Sequence, residues 1–315
     1  MKVLVTGGAG FIGSHVVDVL LQAGHAVAIV DNLWDRGGGR MENVNPRASF
    51  YQVDVRDADL GNVFERERPE AVCHLAAQHS VKISSEDPVH DAEVNILGLL
   101  NLLQCCTRFG ARKVVFASSG ATYGTVDRMP IDERTPQHPE SPYGITKTAT
   151  EYYLRFWQEM YGLEFTALRY GNVYGPRQDP TGEAGVIAIF ARRIILGDPV
   201  RIDWDGKQQK DYVYVRDVAR ANLLALTQGD GEAFCIATGK GSSVNELYQK
   251  LSDIIGKQVE IIRAPKRPGD IYQSYFDCRK AKALLGWEAQ VSLKEGLRLT
   301  AEYFVSSLPK DDALC

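Results

Sequence analysis

The chain has little net charge and no long apolar run. Its 315 residues include 36 lysines and arginines against 40 aspartates and glutamates, which gives a net charge of −4 at pH 7. Such a balance offers no general attraction for nucleic-acid phosphates or for an anionic membrane surface. No stretch approaches the roughly 18 consecutive apolar residues of a membrane-spanning helix. We therefore expect no nucleic-acid or membrane partner, and look for a small-molecule site.

Cysteine is sparse and follows no metal-binding pattern. The chain contains no C-x-x-C pair, and its six cysteines are Cys73, Cys105, Cys106, Cys235, Cys278 and Cys315. This scatter favours reduced, buried thiols over disulfides or zinc ligands, so we expect no metal. The start of the chain also lacks the apolar stretch and cleavage site of a secretory leader. Together these features predict a cytoplasmic protein.

The hydrophobic pattern predicts an α/β fold. Short apolar runs alternate with amphipathic helix patterns, which is typical of βαβ units and a parallel sheet. The predicted strands cover Lys2–Thr6, Ala26–Asp31, Ser49–Val53, Ala71–Leu75, Lys113–Ala117 and Glu164–Arg169. The predicted helices include Phe11–Ala23, Val94–Phe109 and about Tyr143–Tyr161. From the last strand to about Asp211 the chain is expected to be rich in loops, with mixed helices and strands after it.

A glycine-rich sequence lies between the first predicted strand and the first predicted helix. Gly7, Gly10 and Gly13 have the G-x-x-G-x-x-G spacing of a dinucleotide-binding turn. Without side chains at these positions, backbone amides can approach a pyrophosphate at the helix N-terminus, and the helix packs close to the strand. The sequence therefore predicts a bound dinucleotide cofactor.

The residue that ends the second strand favours NAD. Asp31 stands 18 positions after Gly13, where a carboxylate accepts hydrogen bonds from an adenosine ribose diol and repels a 2′-phosphate. Arg36 and Arg40 follow closely and are able to bind a 2′-phosphate, so NADP stays open as an alternative. The ends of the third and fourth strands are expected to line the same cofactor with Asp54, Val55, Leu75, Ala76 and Ala77. Asn95 is a further candidate, with a purely structural role in its helix as the alternative.

Three side chains after the fifth strand suggest a catalytic group. Pro142 suits the first helical position and Ser141 the N-cap. Tyr143 and Lys147 therefore stand one turn apart on one helix face. A tyrosine with an ordinary pKa of about 10 is a poor base, and an ammonium one turn away together with a positive nicotinamide is expected to lower that pKa. Ser119, at the end of the fifth strand, is expected to bind the same substrate oxygen.

In this order, the segments resemble the extended short-chain dehydrogenase/reductase family, and most closely its nucleotide-sugar 4-epimerases of the UDP-galactose 4-epimerase type. The further marks are Leu168-Arg-Tyr-Gly-Asn-Val-Tyr-Gly-Pro-Arg-Gln178, Lys210-Asp-Tyr-Val-Tyr-Val-Arg-Asp217, Arg267-Pro-Gly-Asp270 and Leu285-Gly-Trp287. The resemblance implies a Rossmann-type doubly wound parallel sheet, an NAD cofactor and a UDP-hexose substrate. It also adds four residues to the expected cofactor-binding set, namely Phe11, Ile12, Asn32 and Tyr170.

The resemblance also implies a reaction. Ser119, Tyr143 and Lys147 would interconvert UDP-glucose and UDP-galactose through a transient 4-keto sugar. Dehydratases of the family carry an Asp-Glu pair, and decarboxylases a Glu, where this chain has Gly120 and Ala121. Without those carboxylates, oxidation and re-reduction at C4 is the simplest mechanism. A dehydratase, decarboxylase, reductase or UDP-glucuronate 4-epimerase stays open as the alternative, while a non-catalytic NAD-binding protein is disfavoured because the three catalytic side chains are intact.

Other family motifs concern the substrate. By resemblance, Asn172 contacts the phosphate region, Arg267 binds the pyrophosphate and Asp270 binds the ribose. Ser119 and Tyr143 are expected to contact the sugar itself. These five positions define the expected substrate-binding half of the site.

Two positions carry a different residue from the one usual in related epimerases, and each is expected to change substrate binding. Lys210 stands where the family usually has arginine, which keeps the charge and loses the bidentate geometry, so phosphate binding is expected to weaken or to move to Arg177 or Arg216. Ser274 stands where a bulky tyrosine restricts related epimerases to glucose and galactose. We therefore expect the site to admit UDP-GlcNAc and UDP-GalNAc. A uronate substrate stays open, because Arg177 is able to meet a carboxylate.

The resemblance finally implies the organisation of the molecule. Residues 1–170 are expected to form the NAD-binding domain, with 211–236 returning to it. Residues 171–210 and 237–315 are expected to form a smaller, partly interleaved α/β lobe that binds substrate. The two long helix patterns carry more apolar surface than one sheet covers, so we expect them to pair in a four-helix bundle of a homodimer.

Overall fold

Strands and helices alternate along the chain in the structure, a computed structural model that describes residues 1–181, 185–266 and 271–307. The strands are β1 (Lys2–Thr6), β2 (Ala26–Asp31), β3 (Ser49–Gln52), β4 (Ala71–His74), β5 (Lys113–Ser119), β6 (Glu164–Tyr170), β7 (Asn172–Tyr174), β8 (Val200–Asp203), β9 (Gln209–Tyr214), β10 (Glu232–Ile236), β11 (Gly241–Ser243), β12 (Ile261–Ala264) and β13 (Gln273–Ser274). The helices are α1 (Phe11–Gln22), α2 (Asp59–Glu67), α3 (Val81–Glu86), α4 (Pro88–Ala92), α5 (Gly98–Phe109), α6 (Pro142–Tyr161), α7 (Val186–Leu196), α8 (Val215–Ala225), α9 (Val244–Ile255), α10 (Arg279–Leu285) and α11 (Leu293–Ser307).

Seven strands form one parallel sheet in the order β3-β2-β1-β4-β5-β6-β10. The order reverses between β1 and β4, and the loops that follow these two strands diverge to opposite sides of the sheet. Such a reversal opens a crevice at the carboxyl ends of the strands, where ligands usually bind. Because helices cover both faces, the strands are buried on both sides, which explains their nearly continuous apolar sequences.

Each face of the large sheet has its own core. Helices α1, α8 and α10 cover one face, where Val16, Leu20 and Trp287 are fully buried. Helices α2, α5 and α6 cover the other face, with Phe64 and Leu103 among the fully buried side chains. The predicted doubly wound α/β fold is confirmed.

The rest of the chain forms a smaller lobe. Strands β7, β9, β11 and β13 form a second sheet, and β8 pairs with β12. Helices α7, α9 and α11 pack on one another around a third core that includes Phe190, Leu247 and Leu297. Since β7 follows β6 after the single residue Gly171, the small sheet starts at the carboxyl end of the large one.

Several predicted elements differ from those in the structure. The stretch before Asp211 is not rich in loops, because the apolar sequence Val186–Leu196 forms α7 and is buried against α9 and α11. The helix predicted over Val94–Phe109 is divided into a π-helical segment, Glu93–Leu97, and α5. Of the predicted returning segment 211–236, α8 and β10 lie on the large sheet, whereas β9 pairs within the small sheet.

Helix α6 begins and ends as its sequence predicts. The hydroxyl of Ser141 accepts a hydrogen bond of 3.1 Å from the backbone N–H of Gly144, and Pro142 occupies the first turn. Gly162 follows the last turn with a φ of 69°, in the left-handed conformation that glycine adopts easily. The cap fixes where the first turn of α6 lies, and with it the next side chains.

The thiols in the described part of the chain are free. These are Cys73, Cys105, Cys106, Cys235 and Cys278, of which the first four are buried. Cys315 lies outside the described residues. Within those same ranges, no cluster of three or more His, Cys, Asp and Glu side chains is suited to hold a metal ion. No helix there combines the length and apolar character needed to cross a bilayer.

Candidate active site

A cavity of about 1030 Å³ lies between the carboxyl ends of the large sheet and the smaller lobe. Nearly all predicted site residues line it: Gly7, Gly10, Phe11, Ile12, Gly13, Asp31, Asn32, Asp54, Val55, Leu75, Ala76, Ala77, Ser119, Tyr143, Lys147, Tyr170, Asn172, Arg177, Lys210 and Ser274. Arg267 and Asp270 lie outside the described residues. Cavities for one drug-sized ligand usually have volumes of about 300–1,000 Å³, so this cavity has space for a ligand at least as large.

The glycine turn is packed too tightly for side chains. Gly7 has a φ of 70°, and a Cβ there would lie 2.7 Å from the backbone nitrogen of Ala76. A Cβ at Gly13 would lie 2.0 Å from the carbonyl oxygen of Gly7. This turn leads directly into the N-terminus of α1 at the cavity wall. Backbone N–H groups and the positive end of the helix dipole there are suited to bind a pyrophosphate.

Asp31 is held at the cofactor end of the cavity by backbone groups. Its Oδ2 accepts a hydrogen bond of 3.0 Å from the N–H of Ala9, and its Oδ1 accepts one of 2.9 Å from the N–H of Leu33. A Cβ at Gly39 would lie 2.6 Å from Oδ1, so glycine is needed there too. Burial raises the pKa of Asp31, and the two hydrogen bonds oppose that rise. The carboxylate is therefore fixed in place where it lines the cavity.

A second carboxylate, Asp54, lies two residues after the neighbouring strand β3. Asp54 accepts hydrogen bonds of 2.9 Å from Nε and Nη2 of Arg56 and one of 2.8 Å from Nδ2 of Asn32. Burial alone would raise the pKa of Asp54, but these hydrogen bonds outweigh it and lower the pKa to about 2. Asp54 is therefore ionised at physiological pH.

Ser119, Tyr143 and Lys147 come together on one side of the cavity. Lys147 is buried, and its Nζ donates a hydrogen bond of 2.9 Å to the carbonyl oxygen of Ala117. The same Nζ lies 5.7 Å from the ring centre of Tyr143. Ser119 lines the same side of the cavity, and its Oγ accepts a hydrogen bond of 3.1 Å from the backbone N–H of Ala121. The group predicted from sequence is therefore assembled by the end of β5 and the first two turns of α6.

Burial dominates the pKa values of this group. It raises the pKa of Tyr143 to about 12, although the hydroxyl group of Ser119 opposes the rise. It lowers the pKa of Lys147 to about 8, against the charge of Asp91. The expected lowering of the tyrosine pKa does not appear in the protein chain by itself, because desolvation of the phenolate exceeds the favourable interactions.

Asn95 lies behind the cavity wall and does not line it. Its Nδ2 donates a hydrogen bond of 2.9 Å to the carbonyl oxygen of Gln78, and its Oδ1 accepts one of 2.9 Å from the N–H of the same residue. It therefore supports the wall segment that follows β4. The purely structural alternative describes Asn95 better than direct contact with a cofactor.

The lobe supplies the opposite wall of the cavity. Asn172 begins β7, while Lys210 of β9 and Ser274 of β13 are paired in register. Arg177 also lines the cavity, but its Nη1 lies 2.8 Å from Oδ2 of Asp18 on α1. The expected role of Arg177 toward a phosphate or carboxylate therefore competes with an existing ion pair.

Sequence reasoning missed the contribution of Phe276. Its buried ring packs with Tyr123 and Ile131 and also lines the cavity. A Cβ at Gly120 would lie 2.6 Å from Cζ of this ring. The position directly after Ser119 therefore has no room for a side chain. No local sequence pattern predicts this contact, because Gly120 and Phe276 are far apart in the sequence.

Comparison with known proteins finds relatives over almost the whole chain. The family described as GDP-mannose 4,6 dehydratase matches residues 4–300. A protein of Methanocaldococcus jannaschii named putative UDP-glucose 4-epimerase is 46% identical over 297 residues, which cover 94% of this chain and 96% of that protein.

Two solved structures are similar in both sequence and fold. The UDP-glucose 4-epimerase of Thermotoga maritima, crystallised with UDP-glucose, is 51% identical; the match covers 98% of this chain and 100% of that chain, with a TM-score of 0.95. The UDP-glucose 4-epimerase of Thermus thermophilus, in complex with NAD, is 47% identical with the same coverage and a TM-score of 0.93.

Proposed function

This chain belongs to the family described as GDP-mannose 4,6 dehydratase, an extended short-chain dehydrogenase/reductase family, and we propose that it is an NAD-dependent 4-epimerase of UDP-sugars. The proposed reaction interconverts UDP-glucose and UDP-galactose through a transient 4-keto sugar. One observation carries the proposal: a single cavity holds Ser119, Tyr143 and Lys147 together with a dinucleotide-binding glycine turn. The names of the relatives at 46–51% identity support the same activity.

The cofactor end of the cavity fits NAD. The close backbone approaches at Gly7 and Gly13 suit a pyrophosphate, and Asp31 suits the diol of the adenosine ribose. Arg40 lies 3.6 Å from carboxylate oxygens of both Glu42 and Asp179, so two acids already engage it, which favours NAD over NADP. NAD bound there would supply the hydride acceptor, and its reduced form the hydride donor, for C4 of the sugar. The other proposed contacts are Gly10, Phe11, Ile12, Asn32, Asp54, Val55, Leu75, Ala76, Ala77 and Tyr170.

Tyr143 is the proposed base. Its phenolic oxygen takes the proton of the sugar's 4-hydroxyl group during oxidation and gives it back during reduction. Ser119 hydrogen-bonds to the same substrate oxygen and holds the proton in place. Since burial raises the pKa of Tyr143 to about 12, proton removal near neutral pH requires positive charge beside the phenol. Lys147 supplies such charge from the protein side and is proposed to bind the nicotinamide ribose.

The residues after Ser119 favour epimerisation over dehydration. Eliminating water from a 4-keto sugar requires an acid for the leaving hydroxyl group and a base for the C5 proton. The two following positions are Gly120 and Ala121, and the ring of Phe276 fills the space beside the first of them. Neither position is able to supply an acid or a base. The activity therefore differs from the dehydration after which the family is described.

The lobe residues support a nucleotide-sugar substrate. Asn172 and Lys210 are the proposed contacts of the phosphates, with Ser119 and Tyr143 at the sugar. The small side chain of Ser274 leaves space for a 2-acetamido group, so UDP-GlcNAc and UDP-GalNAc are proposed as further substrates.

Three further substrate contacts are proposed with less direct support from geometry. The roles of Arg267 at the pyrophosphate and Asp270 at the ribose rest on the resemblance, because both lie outside the described residues. Arg177 already pairs with Asp18 through Nη1, which disfavours a further contact with a phosphate or a uronate carboxylate. A UDP-glucuronate substrate is therefore the second candidate, behind UDP-glucose and UDP-galactose.

We also propose a cytoplasmic homodimer. Helix α6 exposes a stripe of apolar side chains, with exposed fractions of 52% at Ile145, 70% at Tyr152, 47% at Phe156 and 62% at Met160. These positions follow one another at intervals of seven, four and four residues, so they share one face of the helix. Such a stripe is typical of an interaction surface. The free thiols of the described cysteines support a reducing compartment.

A proton NMR time course tests the proposed function. Purified protein is mixed with UDP-galactose, UDP-GalNAc or UDP-glucuronate in separate tubes, with NAD supplied and no other reactant. The C4 epimer is expected from the first two, and Tyr143→Phe is expected to abolish its formation while NAD still binds. Ser274→Tyr should remove turnover of UDP-GalNAc and spare that of UDP-galactose. Failure of the wild-type chain to epimerise any of the three sugars would contradict the proposal.

A further inference from the structure

A buried carboxylate that has no role in the proposed reaction lies behind the active site. The side chain of Asp91, in the last turn of α4, has a relative exposure of 0%. Its Oδ1 accepts hydrogen bonds of 2.8 Å from Nε2 of Gln78 and 3.0 Å from Nδ2 of Asn95. Its Oδ2 accepts one of 2.8 Å from Oγ1 of Thr146. None of these three partners carries a charge. A buried carboxylate without a directly bonded cation is costly, so its presence calls for a reason.

The three partners belong to three different segments around the catalytic group. Thr146 precedes Lys147 on α6, and its hydroxyl also lies 3.0 Å from the carbonyl oxygen of Tyr143. Gln78 lines the cavity in the segment after β4. Asn95 belongs to the π-helical segment, and such segments often occur at functional sites. One carboxylate therefore joins α6, the cavity wall and the π-helical segment.

The charge of Asp91 also acts on both members of the Tyr143–Lys147 pair. It raises the pKa of Lys147, in opposition to burial, which lowers that pKa to about 8. It raises the pKa of Tyr143 as well, in the same direction as burial. Burial likewise raises the pKa of Asp91 itself, and its three hydrogen bonds and the charge of Lys147 oppose that rise.

Two histidines on which the charge of Lys147 acts are uncharged. These are His74 on β4 and His79 in the segment after it. Burial and the charge of Lys147 lower both pKa values, that of His74 to about 3, so both rings are neutral at pH 7. Among the described residues that act on Lys147, Asp91 therefore supplies the negative charge.

We propose that Asp91 is a positioning residue for Tyr143 and Lys147, which keeps the buried ammonium protonated through its charge and holds α6 against the cavity wall through its hydrogen bonds. This inference rests on the proposed epimerase function. A negative charge stabilises protonated forms, so its removal lowers the pKa of Lys147 and of Tyr143 together. Activity that needs an unprotonated Tyr143 and a protonated Lys147 would then have both limbs of its pH profile at lower pH.

The test is the pH dependence of kcat for UDP-galactose in the NAD-bound enzyme with Asp91→Asn. This substitution keeps the shape of the side chain and removes its charge. Both limbs are expected to move to lower pH by about 0.5–1 unit, less than the 1–3 units or so of a directly paired charge. Asp87→Asn is the matched control. Asp87 is an exposed carboxylate four positions earlier that caps α4 through the N–H of His90, and asparagine preserves such a cap. Both limbs should stay in place in this control.

The outcomes are distinguishable. An equal loss of kcat at every pH with unmoved limbs would reduce Asp91 to a structural residue and overturn the inference, as would a shift to higher pH. If Asp91→Asn does not accumulate as folded enzyme, Asp91→Ser, which leaves room for water beside Thr146, carries the same expected shift. A wild-type chain without epimerase activity would instead overturn the proposed function itself.

Discussion

Gly120 shows how a residue without a side chain restricts the chemistry of its neighbours. It follows Ser119 directly, at the place where an acidic side chain would reach the sugar. The ring of Phe276, which is 2% exposed, occupies the space that a Cβ of Gly120 would need. The two positions therefore depend on each other: the large ring of Phe276 after β13 fits only because Gly120 after β5 has no side chain.

This pair gives a prediction at the scale of single residues. Gly120→Ala should lower the free energy of unfolding by about 1–3 kcal/mol, as overpacking of a buried contact usually does, and should lower kcat because the adjacent Ser119 is displaced. Phe276→Leu removes the ring atom nearest to Gly120 and keeps an apolar side chain. The double variant is expected to be more stable than the sum of the two single effects. Denaturant unfolding and kcat for UDP-galactose measure both quantities.

Gly61→Ala is the matched control for this cycle. Gly61 lies within α2, and a Cβ there meets nothing within 4 Å. Alanine should therefore stabilise the helix, by about 0.5–1 kcal/mol. Strict additivity of Gly120→Ala and Phe276→Leu would contradict a direct contact between the two positions.

The catalytic side chains illustrate what sequence can and cannot specify at this scale. The spacing of Tyr143 and Lys147 fixes their common helix face, and the Ser141 cap fixes where that helix starts, so their meeting with Ser119 was predictable. The pKa of Tyr143 was not, because it depends on how completely tertiary packing removes water from the phenol. The sequence left the role of Asn95 open between cofactor binding and a structural role, because its partner Gln78 could be identified only from the folded chain.

Among the helices, α6 has three faces with different environments: the cavity, the large sheet and the solvent. One face presents Tyr143 and Lys147 to the cavity. A second face buries Glu151, which accepts hydrogen bonds of 2.6 Å from Oγ of Ser118 and from Nη2 of Arg169. These bonds tie α6 to β5 and β6 behind the catalytic group. The third face is the exposed apolar stripe that includes Tyr152.

The stripe predicts that the proposed homodimer depends on α6. Tyr152→Lys together with Phe156→Lys should convert a particle of twice the chain mass into a monomer, because two charges would be buried without partners. Sedimentation velocity at several concentrations measures the mass. Activity per chain should fall to the extent that pairing holds α6 in position.

Val305→Lys provides the comparison on another helix. Val305 on α11 is also an exposed apolar residue, at 61%, but lies outside the stripe. Its replacement should leave the mass unchanged. A wild-type chain that sediments as a monomer at micromolar concentration would contradict the proposed homodimer.

The bounds of strands and helices were predictable from sequence where a local pattern determines them, and not where tertiary packing determines them. Strands β1 and β2 have the predicted bounds because short apolar runs between a turn and a helix leave little choice. Helix α7 was missed because its sequence is apolar on several faces, and only burial against α9 and α11 explains that composition. The π-helical segment has no sequence signal that separates it from α5.

At the scale of the whole molecule, the active site exists only because two lobes meet. The large sheet supplies the glycine turn, Asp31 and the catalytic group, while the lobe supplies Asn172, Lys210 and Ser274. Order along the chain indicates that these motifs belong together, but not how they are arranged. The strand order of the large sheet and the short step from β6 to β7 bring them around one cavity.

In the proposed reaction, one hydride leaves C4 of the sugar and returns to the same carbon. The most direct measurement follows UDP-galactose deuterated at C4, incubated with the NAD-bound enzyme and added unlabelled NADH. We expect UDP-glucose that retains deuterium at C4, because the bound cofactor would hold the transferred hydride in the cavity between oxidation and reduction. Product with hydrogen at C4, or turnover only when NADH is consumed, would contradict the proposed reaction and indicate a net redox reaction.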